Sequence, residues 1–349
     1  METPRFALGY QLPDELDCTY DIVCEYREHV SEVYCALAGQ ASGRSALGEN
    51  DGWDVAEARA LQAEELAAIA KEGVDVTLLL NAACYGADAV SKSLADSARR
   101  QVEELGEACG RLAAVTTTSP FVARELKKAN LPVEVRASVN MRLASVKAMG
   151  YLADSFDGYY LWRELNRSPD RIRVVREWCD ANGKKLHMLA NSGCLRECAF
   201  QSFHDNLVAH EHDLLRRENV PQKYPAPCWE FLAKRENWPC LLQNTWVRPE
   251  DLHHVLGYFD GIKLATRMHM NPRMVIGAYA RGSFGGNLLD LMEPGYGYLL
   301  RGYVLDNSRF PDDWYERTAA CQYDCHVCDY CRNVFEQVLL AMGDPIAED

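Results

Sequence analysis

The chain has 349 residues, 48% of them hydrophobic, and carries 37 Lys plus Arg against 51 Asp plus Glu, a formal net charge of −14. That size buries one large core or two modest ones, no apolar run is long enough to span a bilayer, and the acidic balance works against binding to nucleic-acid backbones. The N-terminus, "METPRFALGYQLPDELDC", lacks the basic-then-apolar order of a secretory signal, so a cytoplasmic protein is expected, with its fourteen cysteines reduced rather than paired.

In chain order, short apolar and β-branched runs alternate with longer amphipathic stretches. The runs are "SEVYCAL" (31–37), "VDVTLLLNA" (74–82), "RLAAVTTT" (111–118), "VEVRASV" (133–139), "FDGYYLW" (156–162), "KKLHMLAN" (184–191), "CLLQNTWV" (240–247) and "YFDGIKLATR" (258–267). Their near-continuous apolar character is that of parallel strands buried on both faces. Between them lie helical patterns at 54–73, opened by Asp54 and closed by Gly73, and at 87–109 and 170–183. Eight such units predict an α/β fold, a (β/α)8 TIM-type barrel. An open doubly wound sheet is disfavoured because no G-x-G-x-x-G follows a strand. The expected organisation is a catalytic barrel over 1–300, with an insertion over 192–240, and a cysteine-rich extension over 301–349. The basic spots "RELKK" (124–128) and "LLRRE" (214–218) are read as solvated helix faces.

Eight cysteines fall into two sets. In "NSGCLRECAFQ", Cys194 and Cys198 follow the sixth predicted strand, where barrel active sites lie, and Cys228 and Cys240 flank the loop beyond. A fourth ligand from Cys35 or His204 is the alternative if one of these is merely buried. The other set, Cys321, Cys325, Cys328 and Cys331, has C-x3-C-x2-C-x2-C spacing, which fits an iron–sulfur cluster, with zinc as the alternative. It contains the spacing of radical S-adenosylmethionine enzymes, but after the last strand and with Val327 where an aromatic is usual. His204, His210 and His212 lack the H-E-x-x-H spacing of a zinc protease, so His204 is read as a polar lining of the mouth. On the last predicted strand Lys263 and Arg267 point inward by alternation, as a carboxylate clamp or as partners of Glu164. Arg163 and Glu164 carry the same two readings. "AGQASGRS" (38–45), with Arg44, is a weak candidate anion cradle.

Several stretches resemble the collagenase-like peptidase family U-32 of iron–sulfur proteins: "RASVNM" (136–141), "WREL" (162–165), "DGIKLATR" (260–267) and the cysteines after the sixth predicted strand. The resemblance spans about residues 30–270. It implies a barrel with a [4Fe–4S] cluster and oxygen-independent hydroxyl-transfer or dehydroxylation chemistry on a small anionic molecule, not true peptidase activity. The insertion with Cys228 and Cys240 and the C-terminal cysteines depart from the family pattern and mark a distinct subgroup. The expected protein is thus an oxygen-sensitive oxidoreductase or lyase. Lys263, Arg267, Arg163, Glu164 and His204 would serve catalysis, and Cys194, Cys198, Cys228 and Cys240 would hold the mouth cluster. The C-terminal set would hold a second cluster or zinc, and an electron-donor protein would be the partner. Alternatives are an RNA-modifying hydroxylase of the same fold and a non-enzymatic electron carrier or scaffold.

Overall fold

A computed structural model describes residues 3–14, 17–47, 52–215 and 226–342. Residues 216–218 of "LLRRE", 216–225 of the insertion and 343–349 of the extension lie outside the described residues. Eight parallel strands close into a barrel in chain order: β1 (Phe6–Gly9), β2 (Val30–Cys35), β3 (Asp75–Leu80), β4 (Ala114–Thr117), β5 (Glu134–Ala137), β6 (Gly158–Tyr160), β7 (Lys185–Leu189) and β8 (Gly261–Lys263). Closure is made by β1 against β8, with Phe6 opposite Ile262 and Ala7 opposite Lys263. This is the TIM-type barrel expected from the alternating pattern.

The helices that cover the barrel are α1 (Thr19–Glu25), α2 (Val55–Lys71), α3 (Lys92–Ala108), α4 (Pro120–Lys128), α5 (Val146–Gly150) and α6 (Pro169–Ala181). Their starts follow from local chemistry. Asp54 accepts from the Ala56 and Glu57 N–H groups ahead of α2, and Ser91 and Ser119 cap α3 and α4 in the same way. Beyond β7 come α7 (Gln201–Ala209), α8 (Glu211–Leu215), α9 (Pro227–Leu232) and α10 (Cys240–Gln243). After β8 follow α11 (Pro272–Arg281), α12 (Trp314–Ala319), α13 (Tyr330–Val338) and a two-stranded antiparallel sheet of β9 (Tyr303–Leu305) with β10 (Leu339–Ala341). No helix among the described residues is long and apolar enough to cross a membrane.

Two strand assignments change. Seven of the eight predicted runs become β2 to β8, but "CLLQNTWV" is not a strand. Its first half is α10, and Asn244 then tethers the loop after β7, accepting from Arg196 N (3.2 Å) and donating to Gly193 O (2.8 Å). Leu241, Leu242, Trp246 and Val247 are buried there by packing, without a ladder. The missing strand is "FALG", four residues, all buried, too short for a periodic signal.

Candidate functional site

Inward-facing positions of the strands build a polar lumen. At its lower level Arg136 bonds Glu32 (2.5 Å) and Glu134 (2.8 Å), and Glu134 also takes Lys185 Nζ at 2.8 Å. Burial alone would raise the Glu134 carboxyl, but His187, Arg136 and Lys185 hold it well below the usual carboxylate range. Burial lowers the His187 imidazole. Higher up, the Lys263 amine stands 3.5 Å from the centre of the Tyr34 ring and 5.4 Å from that of Tyr160. Burial, reinforced by nearby Arg267, brings this amine down to about 7. Arg267 donates to Ser42 Oγ at 2.9 Å. Both residues point inward as the alternation predicts, yet neither lines the cavity above them.

That cavity, about 1030 Å³, opens where the strands end. Its polar wall includes Arg44 from the loop after β2, Asn140 after β5, Arg163 after β6, His204 and Asp205 on α7, and Glu293. Arg44 Nε pairs with Glu293 Oε1 at 3.0 Å, and Glu293 Oε2 accepts from Met268 N at 3.2 Å. Burial pushes the Glu293 carboxyl up, but Arg44 outweighs it and the net direction is down. Burial, with Arg44 near, lowers the His204 imidazole.

Arg163 differs from the other cations. It is 5% exposed, and its Nε and Nη2 have no hydrogen-bond partner. A buried guanidinium left so costs several kcal/mol unless an anion joins it. Glu164 turns the other way and does not meet Arg267. Its Oε1 accepts from Glu197 N at 3.1 Å, and its Oε2 lies 3.6 Å from Arg196 Nε. Glu164 thereby supports the loop between Cys194 and Cys198 and is not a cavity residue.

Three thiols of the middle set share the cavity: Cys194, Cys198 and Cys228. Burial raises the Cys228 thiol, as do its neighbours Cys194 and Cys198, while a hydrogen bond with Tyr296 opposes them. Cys240 is not among them. It opens α10, which packs on α13, and burial raises its thiol, with the charge of Cys325 adding to that. The expected four-thiol mouth set therefore divides into three and one, because the run taken for a strand is a helical turn facing the extension. Cys35, the alternative ligand, is wholly buried in the packed core; His204 remains beside the three thiols. All fourteen cysteines are free. Among the described residues no group of three or more His, Cys, Asp or Glu side chains stands in geometry to hold a metal ion. The donor chemistry of three thiols on one cavity nonetheless suits an iron–sulfur cluster.

Part of the remaining lining is apolar and aromatic: Trp229 stacks on Tyr298 at 4.2 Å and tilts against Tyr296 at 4.9 Å, with Met268 and Met274 also on the cavity. Sequence reasoning missed Glu293, Trp229 and Tyr296. Glu293 and Tyr296 lie in "MEPGYGY" beyond the last strand, where no periodicity flags them.

No known family model matches the chain. It is 29% identical over 204 residues to "Uncharacterized protease MJ1657" of Methanocaldococcus jannaschii, a match covering 54% of this chain and 58% of that protein's length. Its fold is similar to the solved structure of the U32 peptidase Mk0906, with TM-score 0.52 and 14% identity, over 75% of this chain and 92% of the other. The first likeness spans just over half of each chain, and the second is a likeness of fold. The U32 likeness brings the barrel with it, and the resemblance seen in "WREL" and "DGIKLATR" agrees. WREL supplies Arg163 to the cavity and Glu164 to the loop beneath the thiols, and "DGIKLATR" supplies the lumen cations.

Proposed function

We propose that this protein is an enzyme that acts on a small anionic molecule in the mouth cavity, beside an iron–sulfur cluster held by Cys194, Cys198 and Cys228. The observation that carries this reading is Arg163, a buried cation with two unpaired nitrogens that lines the same cavity as the three thiols. A carboxylate or phosphate of the substrate completes Arg163 through charge-assisted hydrogen bonds. Asn140 and His204 orient the rest, and the aromatic wall of Trp229 and Tyr296 keeps water out. When bound, a [4Fe–4S] cluster supplies a Lewis-acidic iron or an electron path, which suits oxygen-independent hydroxyl transfer or dehydroxylation. A donor protein would supply the electrons. The size of the cavity, about 1030 Å³, favours an enzyme over a carrier, whose cluster needs only an exposed edge. The charge of −14 weighs against an RNA substrate.

The test begins with protein purified without oxygen. About four iron and four sulfide per chain are expected at the mouth, lost in Cys194→Ala. Arg163→Met should keep the iron and weaken binding of small carboxylates about tenfold or more, measured by calorimetry. Iron that survives Cys194→Ala, or carboxylate binding that ignores Arg163→Met, would overturn the reading. The names of the two relatives give a second one, peptide hydrolysis, in which a mouth thiol attacks and the neutral His204 imidazole takes its proton. Cleavage of labelled casein by metal-free protein, abolished by Cys198→Ser, would establish it instead.

A further inference from the structure

The C-terminal cysteines sit on a loop that leaves α12 and enters α13. Both ends are packed: the Trp314 and Tyr330 rings stack at 5.9 Å, and Cys331 lies in the first turn of α13, half-buried against the core. Between them the backbone turns on Asp324, whose carbonyl accepts from Val327 N and Cys328 N, each at 3.0 Å. Tyr323 adopts φ 64°, a left-handed conformation that costs such a residue about 1 kcal/mol or more. Ser168 Oγ holds its hydroxyl at 3.0 Å, and the Arg196 guanidinium covers its ring at 3.7 Å. In that conformation the Tyr323 N–H points at Cys321 Sγ, 3.3 Å away.

Cys240 reaches the same place from the insertion. α10 packs on α13, and the Trp238 ring just ahead of it lies 6.5 Å from Phe335, which brings Cys240 to the helix that carries Cys331. Charge indicates what the five thiols are for. Arg167 is 6% exposed, lies between Trp246 (5.3 Å) and Trp314 (5.5 Å), and donates to the Leu242 and Asn244 carbonyls. Its Nη1 has no partner. Asp251 nearby is taken by Arg248 through two bonds of 2.7 and 2.8 Å. Trp314, which Arg167 overlies, stacks on Tyr330 beside Cys331, and Arg196 covers Tyr323 between Cys321 and Cys325. Four thiolates on a divalent ion or a cluster carry net negative charge, which these two arginines would balance.

We propose that Cys240, Cys321, Cys325, Cys328 and Cys331 supply a second, thiolate-bound metal centre, distinct from the mouth, which ties the insertion to the C-terminal extension. The ligand is a thiophilic metal, either zinc or an iron–sulfur cluster. Binding draws in the exposed Cys325 and Cys328 and fixes Tyr323 under Arg196. Because Arg196 also contacts Glu164, the centre positions the loop that carries Cys194 and Cys198.

Two full-length variants, purified without oxygen, separate the centres. In Cys194→Ser/Cys198→Ser/Cys228→Ser, zinc or iron with sulfide should remain, and adding Cys240→Ser should lower it about twofold or more. In Cys325→Ser/Cys328→Ser the mouth metal should be indifferent to Cys240→Ser. No metal in the first variant overturns the second centre, and a Cys240 effect confined to the second variant returns that thiol to the mouth. A second variant without metal would instead count against the mouth cluster. Alkylation of the wild-type protein needs no variant. Cys325 and Cys328 should resist iodoacetamide until a chelator is added; their immediate labelling overturns the proposal.

Discussion

Lys263 and Arg163 are both cations withdrawn from water near the open end of the barrel, and they settle the cost differently. Arg163 is left with two unpaired nitrogens, whereas Lys263 loses its charge near neutral pH because burial, with Arg267 near, lowers it to about 7. An unfolded chain holds that proton up to about 10.4. Unfolding therefore takes up a proton between these two values, and stability rises with pH across that window. Below pH 7 both states are protonated and the full penalty of the buried charge is present; above about 10.4 it is gone. Lys263→Met, nearly isosteric, should thus melt a few degrees above the wild type at pH 6, with the gap closing toward pH 10.5. Melting curves for the two proteins across that range check this, and a gap that does not depend on pH would mean that Lys263 titrates normally in the fold.

Among the elements, strands were legible where they were long enough to show a pattern, and the mouth was legible where a strand ran directly into it. In "KKLHMLANSGCLREC" the continuous, apolar β7 leads directly to Cys194 and Cys198, which both line the cavity. "FALG" was invisible at four residues, and "CLLQNTWV" misled because a buried helical turn and a buried strand share composition. The same run carries Cys240, which opens α10 and does not line the mouth cavity. Arg163 was legible as a site residue, but its freedom and Glu164's engagement with Arg196 depend on contacts 32 to 33 residues away, which no local pattern encodes. The approach of Gly193 to the segment after α11 was equally hidden. Its N–H donates to Glu293 O at 3.0 Å, and a Cβ there would overlap the Pro294 carbonyl oxygen. Gly193→Ala must push the β7 loop away from Glu293 and with it Cys194, at about 1–3 kcal/mol. The expected result is a protein that still folds, melts lower and labels faster at Cys194 with a maleimide. Unchanged labelling would show that the loop tolerates the displacement.

At the scale of the whole molecule, residues 301–342 pack into the core. Trp314 lies flat against Trp246 at 6.0 Å, and Phe310 meets the same indole edge-on at 6.2 Å. Leu305, Trp314, Tyr315, Val334, Phe335 and Val338 are all buried, each contributing about 1.5–3 kcal/mol by leaving water. Together they amount to on the order of 10 kcal/mol, comparable with the entire net stability of a folded domain. The solved U32 structure aligns with only 75% of this chain, so about a quarter of the chain lies outside that likeness. A barrel truncated after residue 300 keeps every strand of the closed sheet yet bares Trp246, Leu241, Leu242 and Trp238. Truncation should therefore give an aggregating product or one that melts without cooperativity, followed by circular dichroism and limited trypsin digestion beside the full chain. A soluble fragment that melts in a single sharp step would instead mean that the barrel is self-sufficient. Burial of Trp246 under Trp314 would then serve to hold Arg167 and Cys331 in place rather than to hold the fold.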